Sequence, residues 1–522
     1  MMSASTFRQA AADVTRLARL TRELPRFLRT HVTVEGAAAT IRDRLATREE
    51  RFVDLATRLI YGHQRSPYRP LLKAAGYDLA DLKALISREG LEGALTRLVA
   101  AGVYVTYDEF KGRTEAVRGS QRFLFSEEDF DNPTITPHFE ARTGGTRSTG
   151  TPVKIDLAFV GDQAVNIVLA LDAHGLRDHD HAVWFQHGFT DVVRYARAGR
   201  TPLAWFYLLK TLPPKVRAGG YYMAALARLY GSRLPAPAYL DVRDPVGMAR
   251  WLGRRLVEGR SICLTTYASS AVRVAAAALE AGIPLRHVCF ITLGEPFTEA
   301  KQRIVRASGA RVLVRYAFTE AGILGYSCAH PRHADDLHVH RDSYALIQRA
   351  RGVGQFGTTV NAFLFTSLLP TAPKVLLNVE SGDYGTVERR ACGCALEEVG
   401  LRDHVANIRS FEKLTGEGVT FVQTDLLHIL EHTLPARFGG TSTDYQILET
   451  EGADGITHLL LVISPRIGPV DEEGARGVLL DELGKDGLSA AIWRRLDTVR
   501  VSRQWPEPTR AGKILPFHLV RT

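Results

Sequence analysis

Between positions 261 and 316 the chain alternates short apolar runs with segments of helical spacing, and this alternation limits the fold more than any other feature. The runs 261–265 (SICLT), 288–293 (VCFITL) and 311–316 (RVLVRY) have the length and β-branched content of buried strands. Between them, 268–281 is rich in alanine and 299–308 repeats its apolar residues with helical spacing. Strands separated by helices predict a parallel α/β sheet, whose ligands sit beyond the carboxyl ends of the strands.

Two of those ends carry unusual residues. The strand ending at Leu293 runs into Gly294, Glu295 and Pro296, and the one ending at Tyr316 runs into Ala317, Phe318, Thr319 and Glu320. A carboxylate there can cap a helix, the plain reading of Glu295 and Glu299. Glu320 has a second reading, because one carboxylate plus phosphate oxygens satisfies a nucleotide-bound magnesium. Upstream, Thr143, Gly144, Gly145, Thr146, Ser148, Thr149, Gly150 and Thr151 form a loop whose glycines let the backbone approach an anion and whose hydroxyls donate to it. Gly145 and Gly150 have the spacing of the nucleotide loop G-x-x-x-x-G-K-[ST], but Thr151 stands where its lysine belongs and Pro152 follows. By itself such a run is also an ordinary surface turn.

With 522 residues, 45% hydrophobic and 24% charged, the chain fits a soluble globular protein of two or three domains. No apolar run approaches the roughly 18 to 20 residues that span a bilayer, and no secretory leader opens the chain, so a cytoplasmic, membrane-free protein is expected. The first thirty residues carry Arg8, Arg16, Arg19, Arg22, Arg26 and Arg29 against Asp13 and Glu23. A transit peptide has that composition, but arginine is abundant throughout, which favours a solvated amphipathic helix. The net charge of +9 favours anionic partners, and the dispersal of the basic residues favours phosphorylated small molecules over nucleic acid. Five cysteines exclude a disulfide scaffold.

Positions 1–100 read as a helical cap, 63–68 and 104–110 as turn-rich connections, 153–159 as a strand and 163–171 as a helix. Further on, 361–366 and 374–379 read as strands of a mostly antiparallel segment, the second ending at Ser381-Gly382-Asp383. Asp383 either starts a turn or holds the two hydroxyls of a ribose. Strands at 444–448 and 458–463 with a helix at 487–496 predict a small second domain.

Taken in order, these segments resemble the adenylate-forming superfamily, most of all its phenylacetate-CoA ligase-like branch. TGGTRSTGTP at 143–152 resembles the phosphate loop, LGEP at 293–296 the purine-side segment, YAFTEAG at 316–322 the aromatic-x-x-Thr-Glu motif, SGDYG at 381–385 the ribose-binding Gly-Asp, and RAGKI at 510–514 the carboxy-terminal lysine motif. The resemblance implies a large N-terminal α/β domain with mixed and parallel sheets flanked by helices, about 1–408, and a small mobile α+β lid, 409–522. It implies that 143–151 holds the β- and γ-phosphates, Gly294, Glu295 and Pro296 flank the purine, and Tyr316 stacks on adenine. Thr319 would bond the α-phosphate, Glu320 would ligate Mg2+, Asp383 would hold the ribose, and Lys513 would stabilise charge as the carboxylate attacks.

Asn407-Ile408-Arg409-Ser410-Phe411-Glu412 falls at the family's hinge, where Arg409 matches, and 413–418 departs from the lysine-bearing strand that lines the tunnel for the second substrate. The implied partners are ATP, a small carboxylic acid and coenzyme A, with an amine, hydroxyl or carrier-protein thiol as the alternative acceptor; a monomer or homodimer is implied. The acyl pocket would draw on Trp184, Phe185, His187, Phe189, Phe318 and Gly322, whose aromatic character suggests an aryl or medium-sized acid. The branch also carries a structural zinc, implying Cys328, His338, Cys392 and Cys394 as its ligands, with His330, His333 and His340 as other histidines within reach. Cys263 and Cys289, inside strands, read as core.

Overall fold

The structure, a computed structural model, describes residues 4–142, 152–185, 188–208, 214–353, 358–410, 413–416, 419–422, 429–440, 444–451, 457–483, 498–506 and 517–519. A twelve-stranded mixed sheet organises most of them. From one edge it runs Tyr344–Val353, Thr358–Ser367, Val379–Arg389, Asp403–Ser410, Leu337–Val339, Gly322–Ser327, Arg311–Phe318, Val288–Leu293, Ile262–Tyr267, Asp180–Trp184, Ala204–Tyr207 and Pro237–Tyr239.

The strand Arg311–Phe318 is the seam of this sheet. It pairs in parallel with Val288–Leu293 and antiparallel with Gly322–Ser327, and its register shifts between Tyr316 and Ala317. The parallel side is covered by helices, so Ile262–Tyr267 is buried at all six positions, as its unbroken apolar run requires. Beside the seam, Arg315 is fully buried and bidentate to Asp191, at 2.5 and 3.1 Å, and Arg194 joins the same carboxylate at 2.6 Å. Burial opposes the charge on Asp191, but the two guanidiniums outweigh it and hold its carboxyl below the usual range. This buried pair fixes the strand one residue before Tyr316.

Residues 4–100 are largely helical, including Ala4–Arg29, Val34–Ala46 and Leu79–Ala100. The predicted strand 153–159 ends at Ile155, because the Asp156 side chain accepts the Phe159 N–H and caps the helix Leu157–Ala173. The predicted strand 374–379 does not form; pairing resumes only at Val379. Instead, buried Lys374 reaches the Glu127 carbonyl and the Asp131 carboxylate, each at 2.7 Å, and Asn378 takes a positive φ of 51° with its side-chain amide donating to Leu95 and Val103 carbonyls. The backbone amides of Leu376, Leu377 and Asn378 go to the hydroxyls of Ser367, Tyr68 and Thr366, so they are not available to a ladder. The connection 104–110, read as turn-rich, ends in a helical turn, Tyr107–Phe110, closed by a capping box between Thr106 and Glu109.

The carboxy-terminal region forms a separate α+β unit. A four-stranded sheet in the order Val499–Arg503, Thr457–Ile463, Tyr445–Glu451 and Phe517–Leu519 packs with the helix Glu472–Leu483 on its own core of Leu430, Tyr445, Leu461 and Leu479. The helix expected at 487–496 lies outside the described residues. Among the described residues no helix is long and apolar enough to cross a membrane.

Candidate nucleotide site and cysteine-histidine cluster

The antiparallel pair Arg311–Phe318 and Gly322–Ser327 carries candidate chemistry at both ends. At its turn, Thr319 is half-buried and Glu320 is buried. Four residues before Glu320, the Tyr316 hydroxyl donates to Asp383 Oδ2 at 2.7 Å and lies 3.4 Å from Ser381 Oγ. Burial first, then the Asp383 charge, raises the Tyr316 phenol well above its ordinary pKa, so it stays a neutral donor. The Tyr316 ring tilts against Phe365, centroids 6.2 Å apart, and Phe318 meets Phe365 edge-on at 5.6 Å.

Glu320 is held by a residue the sequence did not single out. Lys111 Nζ lies 2.5 Å from Glu320 Oε1 and 3.0 Å from Glu127 Oε1. Burial works against the ammonium, yet Glu320, Tyr107 and Glu127 more than compensate and its pKa is raised. The carboxylate is therefore presented to a cation already.

The flanks of the glycine loop, Phe139–Arg142 and Pro152–Ile155, pair antiparallel with Arg142 opposite Pro152. Residues 143–151 themselves, with Thr143, Gly144, Gly145, Thr146, Ser148, Thr149 and Gly150, lie outside the described residues, as do His187 and Lys513. Gly294, at φ +83°, follows its strand. Glu295 accepts the Ser269 N–H at 3.1 Å and its hydroxyl at 2.8 Å, capping the helix Ala268–Glu280, and the Pro296 carbonyl accepts Lys301 Nζ at 2.9 Å. Arg409 sits one ladder step from Asp383 on the strand Asp403–Ser410, opposite Tyr384. Its guanidinium lies 3.3 Å from Asp335 Oδ2, and the Asp335 carboxylate also takes the Asn407 and Ile408 amides, each at 2.9 Å.

Of the acyl-pocket residues, Trp184 is fully buried with its indole N–H on the Leu240 carbonyl, and Phe185 packs edge-on against Tyr267. Phe189 meets Phe139 edge-on at 5.3 Å. Gly322, at φ +79°, leaves room for Gln163, whose Nε2 lies 2.0 Å from where a Cβ would stand. Two clefts of about 490 and 580 Å³ lie elsewhere, one against the amino-terminal helices, the other between Tyr104, Arg118 and Arg349.

At the other end of the hairpin, Cys328 follows Ser327, and Cys392, Cys394 and His338 gather beside it. Cys394 Sγ lies 3.1 Å from His338 Nε2 and 3.4 Å from Cys392 Sγ, and Cys392 Sγ lies 3.6 Å from His338 Nε2. Four ligand atoms around a tetrahedral zinc stand about 3.5–3.8 Å apart, given bonds of about 2.0–2.3 Å. The observed spacings of 3.1, 3.4 and 3.6 Å lie within and somewhat below that range, close enough for these three side chains to share one ion. His338 turns its other nitrogen, Nδ1, to the Leu401 carbonyl at 2.7 Å, which fixes Nε2 toward the sulfurs. By contrast His330 bonds the Cys392 carbonyl, and His340 packs on Tyr326.

His404 is a fifth donor that sequence reading missed. It lies opposite His338 in the ladder, with ring centroids 4.1 Å apart, and it joins Cys328, His338 and Cys392 in a group whose ligand atoms all lie within 4.8 Å of one another. Its Nδ1 faces Asp336 Oδ1 at 2.8 Å, and its buried Nε2 has no hydrogen-bond partner. A carboxylate behind one ring nitrogen and an unpartnered second nitrogen is the arrangement of a metal-ligating histidine. The only advance signal was its two-strand register with His338, which sequence spacing does not reveal.

No protein-family profile matches the chain, and no curated protein does. Among solved structures, a 2-hydroxyisobutyryl-CoA ligase in complex with 2-HIB-AMP and CoA in the thioesterification state is similar, with a TM-score of 0.57 over 91% of this chain and 90% of that chain at 16% identity. An amide bond synthetase from Marinactinospora thermotolerans is matched more loosely, with a TM-score of 0.39 over 86% of this chain and 91% of that chain at 13% identity. With its mixed twelve-stranded sheet flanked by helices and its separate small α+β region, the chain has the fold of an adenylate-forming ligase.

Proposed function

We propose that this chain activates a carboxylic acid with MgATP and passes the acyl group to a thiol, in the manner of the phenylacetate-CoA ligase-like branch. In the first half-reaction a carboxylate oxygen attacks the α-phosphorus, the bond to the β-phosphate oxygen breaks, and acyl-adenylate and pyrophosphate form. In the second, a thiolate attacks the acyl carbon and AMP leaves. The observation that carries this reading is the hydrogen bond from Tyr316 to Asp383, which joins segments more than sixty residues apart in sequence near the carboxyl end of the sheet's seam strand, four residues before Glu320.

In this proposal Tyr316 stacks on adenine while its hydroxyl orients Asp383 toward the ribose, beside Arg409. Gly294, Glu295 and Pro296 flank the purine, and Thr319 bonds the α-phosphate. The loop 143–151 takes the β- and γ-phosphates, and Lys513 stabilises the charge that builds on the α-phosphate and acyl carboxylate. Glu320 suits a hard cation, being a buried carboxylate that already carries an ammonium partner. Bound there, Mg2+ would neutralise the phosphate charge. Cys328, His338, Cys392 and Cys394 suit a structural zinc, with His404 beside them. Zinc there would tie the hairpin to the strands Leu337–Val339 and Asp403–Ser410. The boundary between large and small domains falls near 408–409, and a cytoplasmic location suits these substrates.

Coenzyme A is the acceptor we favour, because the similar ligase was seen with an adenylate and CoA together. The departure of 413–418 from the family pattern keeps an amine, hydroxyl or carrier-protein thiol as the second reading. The acid is aryl or of medium size, with Trp184, Phe185, His187, Phe318 and Gly322 nearest to its pocket. The test is pyrophosphate release from MgATP across a panel of acids. Acid-dependent release that falls in Lys513→Ala is expected; no acid-dependent release, or equal rates in the variant, rejects the proposal.

A further inference from the structure

We infer that Lys111 is a built-in cation that occupies the Glu320 carboxylate when no metal-nucleotide is bound and yields it on binding. This rests on the reading of Glu320 as the magnesium ligand. Three observations lead there. The Lys111 side chain is 11% exposed, and its ammonium touches two buried carboxylates, Glu320 at 2.5 Å and Glu127 at 3.0 Å. The Glu127 contact has ion-pair distance without hydrogen-bond alignment, since Glu127 Oε1 has no hydrogen-bond partner, so this second seat is near and incompletely used. Lys111 also stands on a rigid base. The capped turn Tyr107–Phe110 precedes it, and the backbone before that turn is stitched to the Asp383 strand through Val105 and Glu380.

The charge arithmetic explains why such a residue is useful. Two buried carboxylates without a partner would be strongly destabilising, because an uncompensated buried charge is among the most unfavourable groups a fold can hold. Lys111 offsets one of these two negative charges and so helps hold the two carboxylates side by side. When metal-nucleotide arrives, the ammonium shifts its weight to Glu127 a short distance away, and Glu320 is released to the metal. Lys111 is therefore a positioning residue. It sets how strongly Glu320 can bind metal, and it makes metal binding depend on the nucleotide.

The test uses Mn2+ as the probe and the full chain, free of nucleotide and of added Mg2+, with bound Mn2+ followed by electron paramagnetic resonance. Lys111→Met/Glu127→Gln keeps the net charge of the group at minus one while removing the ammonium from Glu320, and it leaves no unpaired lysine. The expected result is Mn2+ binding about tenfold tighter than in the unaltered chain, the scale of one charged hydrogen bond. Adding Glu320→Gln to the pair should abolish that gain. Lys111→Arg, which keeps the cation, should stay near the unaltered affinity. Equal Mn2+ affinity in the double variant and the unaltered chain, with a changed melting temperature only, overturns the inference and leaves a structural ion pair. If Glu320→Gln leaves Mn2+-ATP binding by the unaltered chain unchanged, the magnesium reading fails and this inference fails with it.

Discussion

The two ends of one β-hairpin, Arg311–Phe318 with Gly322–Ser327, hold opposite kinds of chemistry. At the turn, Glu320, Asp383 and the Tyr316 hydroxyl offer hard oxygen atoms, and a lysine from a distant segment satisfies the carboxylate. At the open end, Cys328 and its neighbours offer soft sulfur and imidazole atoms held by backbone carbonyls and a buried aspartate. In the proposed reading the turn end is built from charges that exchange partners during turnover. The open end is a closed donor set with fixed tautomers. The hairpin can thus be anchored at one end so that the other keeps its geometry through a reaction cycle, and changes at the two ends should separate cleanly into losses of chemistry and losses of stability.

The largest expected effect is Glu320→Gln, which should lower acid-dependent pyrophosphate release about a hundredfold, the range of a lost charge-stabilising group, while the melting temperature hardly moves. A fall in stability as large as the fall in rate breaks the contrast. Next, Cys392→Ser/Cys394→Ser should strip bound zinc, measured by elemental analysis, and lower the melting temperature by on the order of 10 °C. The remaining folded molecules should keep their rate; a stable, zinc-free variant means the cluster anchors nothing. Asp383→Ala should raise the KM for ATP about tenfold with kcat less changed, as expected for a charged hydrogen bond. Tyr316→Phe, which keeps the ring and removes the donor to Asp383, should raise it only about threefold.

A smaller, pH-dependent effect marks the parallel half of the sheet, away from both ends. His181 is fully buried, and neither ring nitrogen has a hydrogen-bond partner. Burial first, then Arg200 and His179, pushes its pKa down to about 3. Folded protein therefore keeps His181 neutral while unfolded chains protonate below about 6.5, so stability falls with falling pH from about 6.5 toward 3. His181→Leu should flatten that part of the stability curve in denaturant titrations at pH 5 and 7.5. An unchanged slope contradicts the assignment.

How much could be read in the sequence follows from the same contrast. The strands at 261–265, 288–293 and 311–316 were legible because buried parallel strands are largely apolar runs; the structure has Val288–Leu293 as expected, shifts the first to Ile262–Tyr267 and lengthens the third to Arg311–Phe318. Glu320 lies just past its strand, where its short motif put it, whereas Asp383, expected after a strand, sits inside Val379–Arg389. Lys111 was not legible, because it reaches the site from about two hundred residues upstream, in a segment that reads as a turn. His404 was hidden for a related reason, since its neighbour His338 is fixed by strand register rather than by spacing. The false strand 374–379 has the right apolar pattern but gives its backbone amides to the hydroxyls of Ser367, Tyr68 and Thr366, which no periodicity records.

The most direct test of the central claim is mass spectrometry of the products formed by the full chain from MgATP and mixed carboxylic acids. Adenylation predicts at least one acyl-AMP, appearing with pyrophosphate and strongly reduced in Glu320→Gln. ATP left intact with every acid, or AMP formed at the same rate with no acid present, would contradict it.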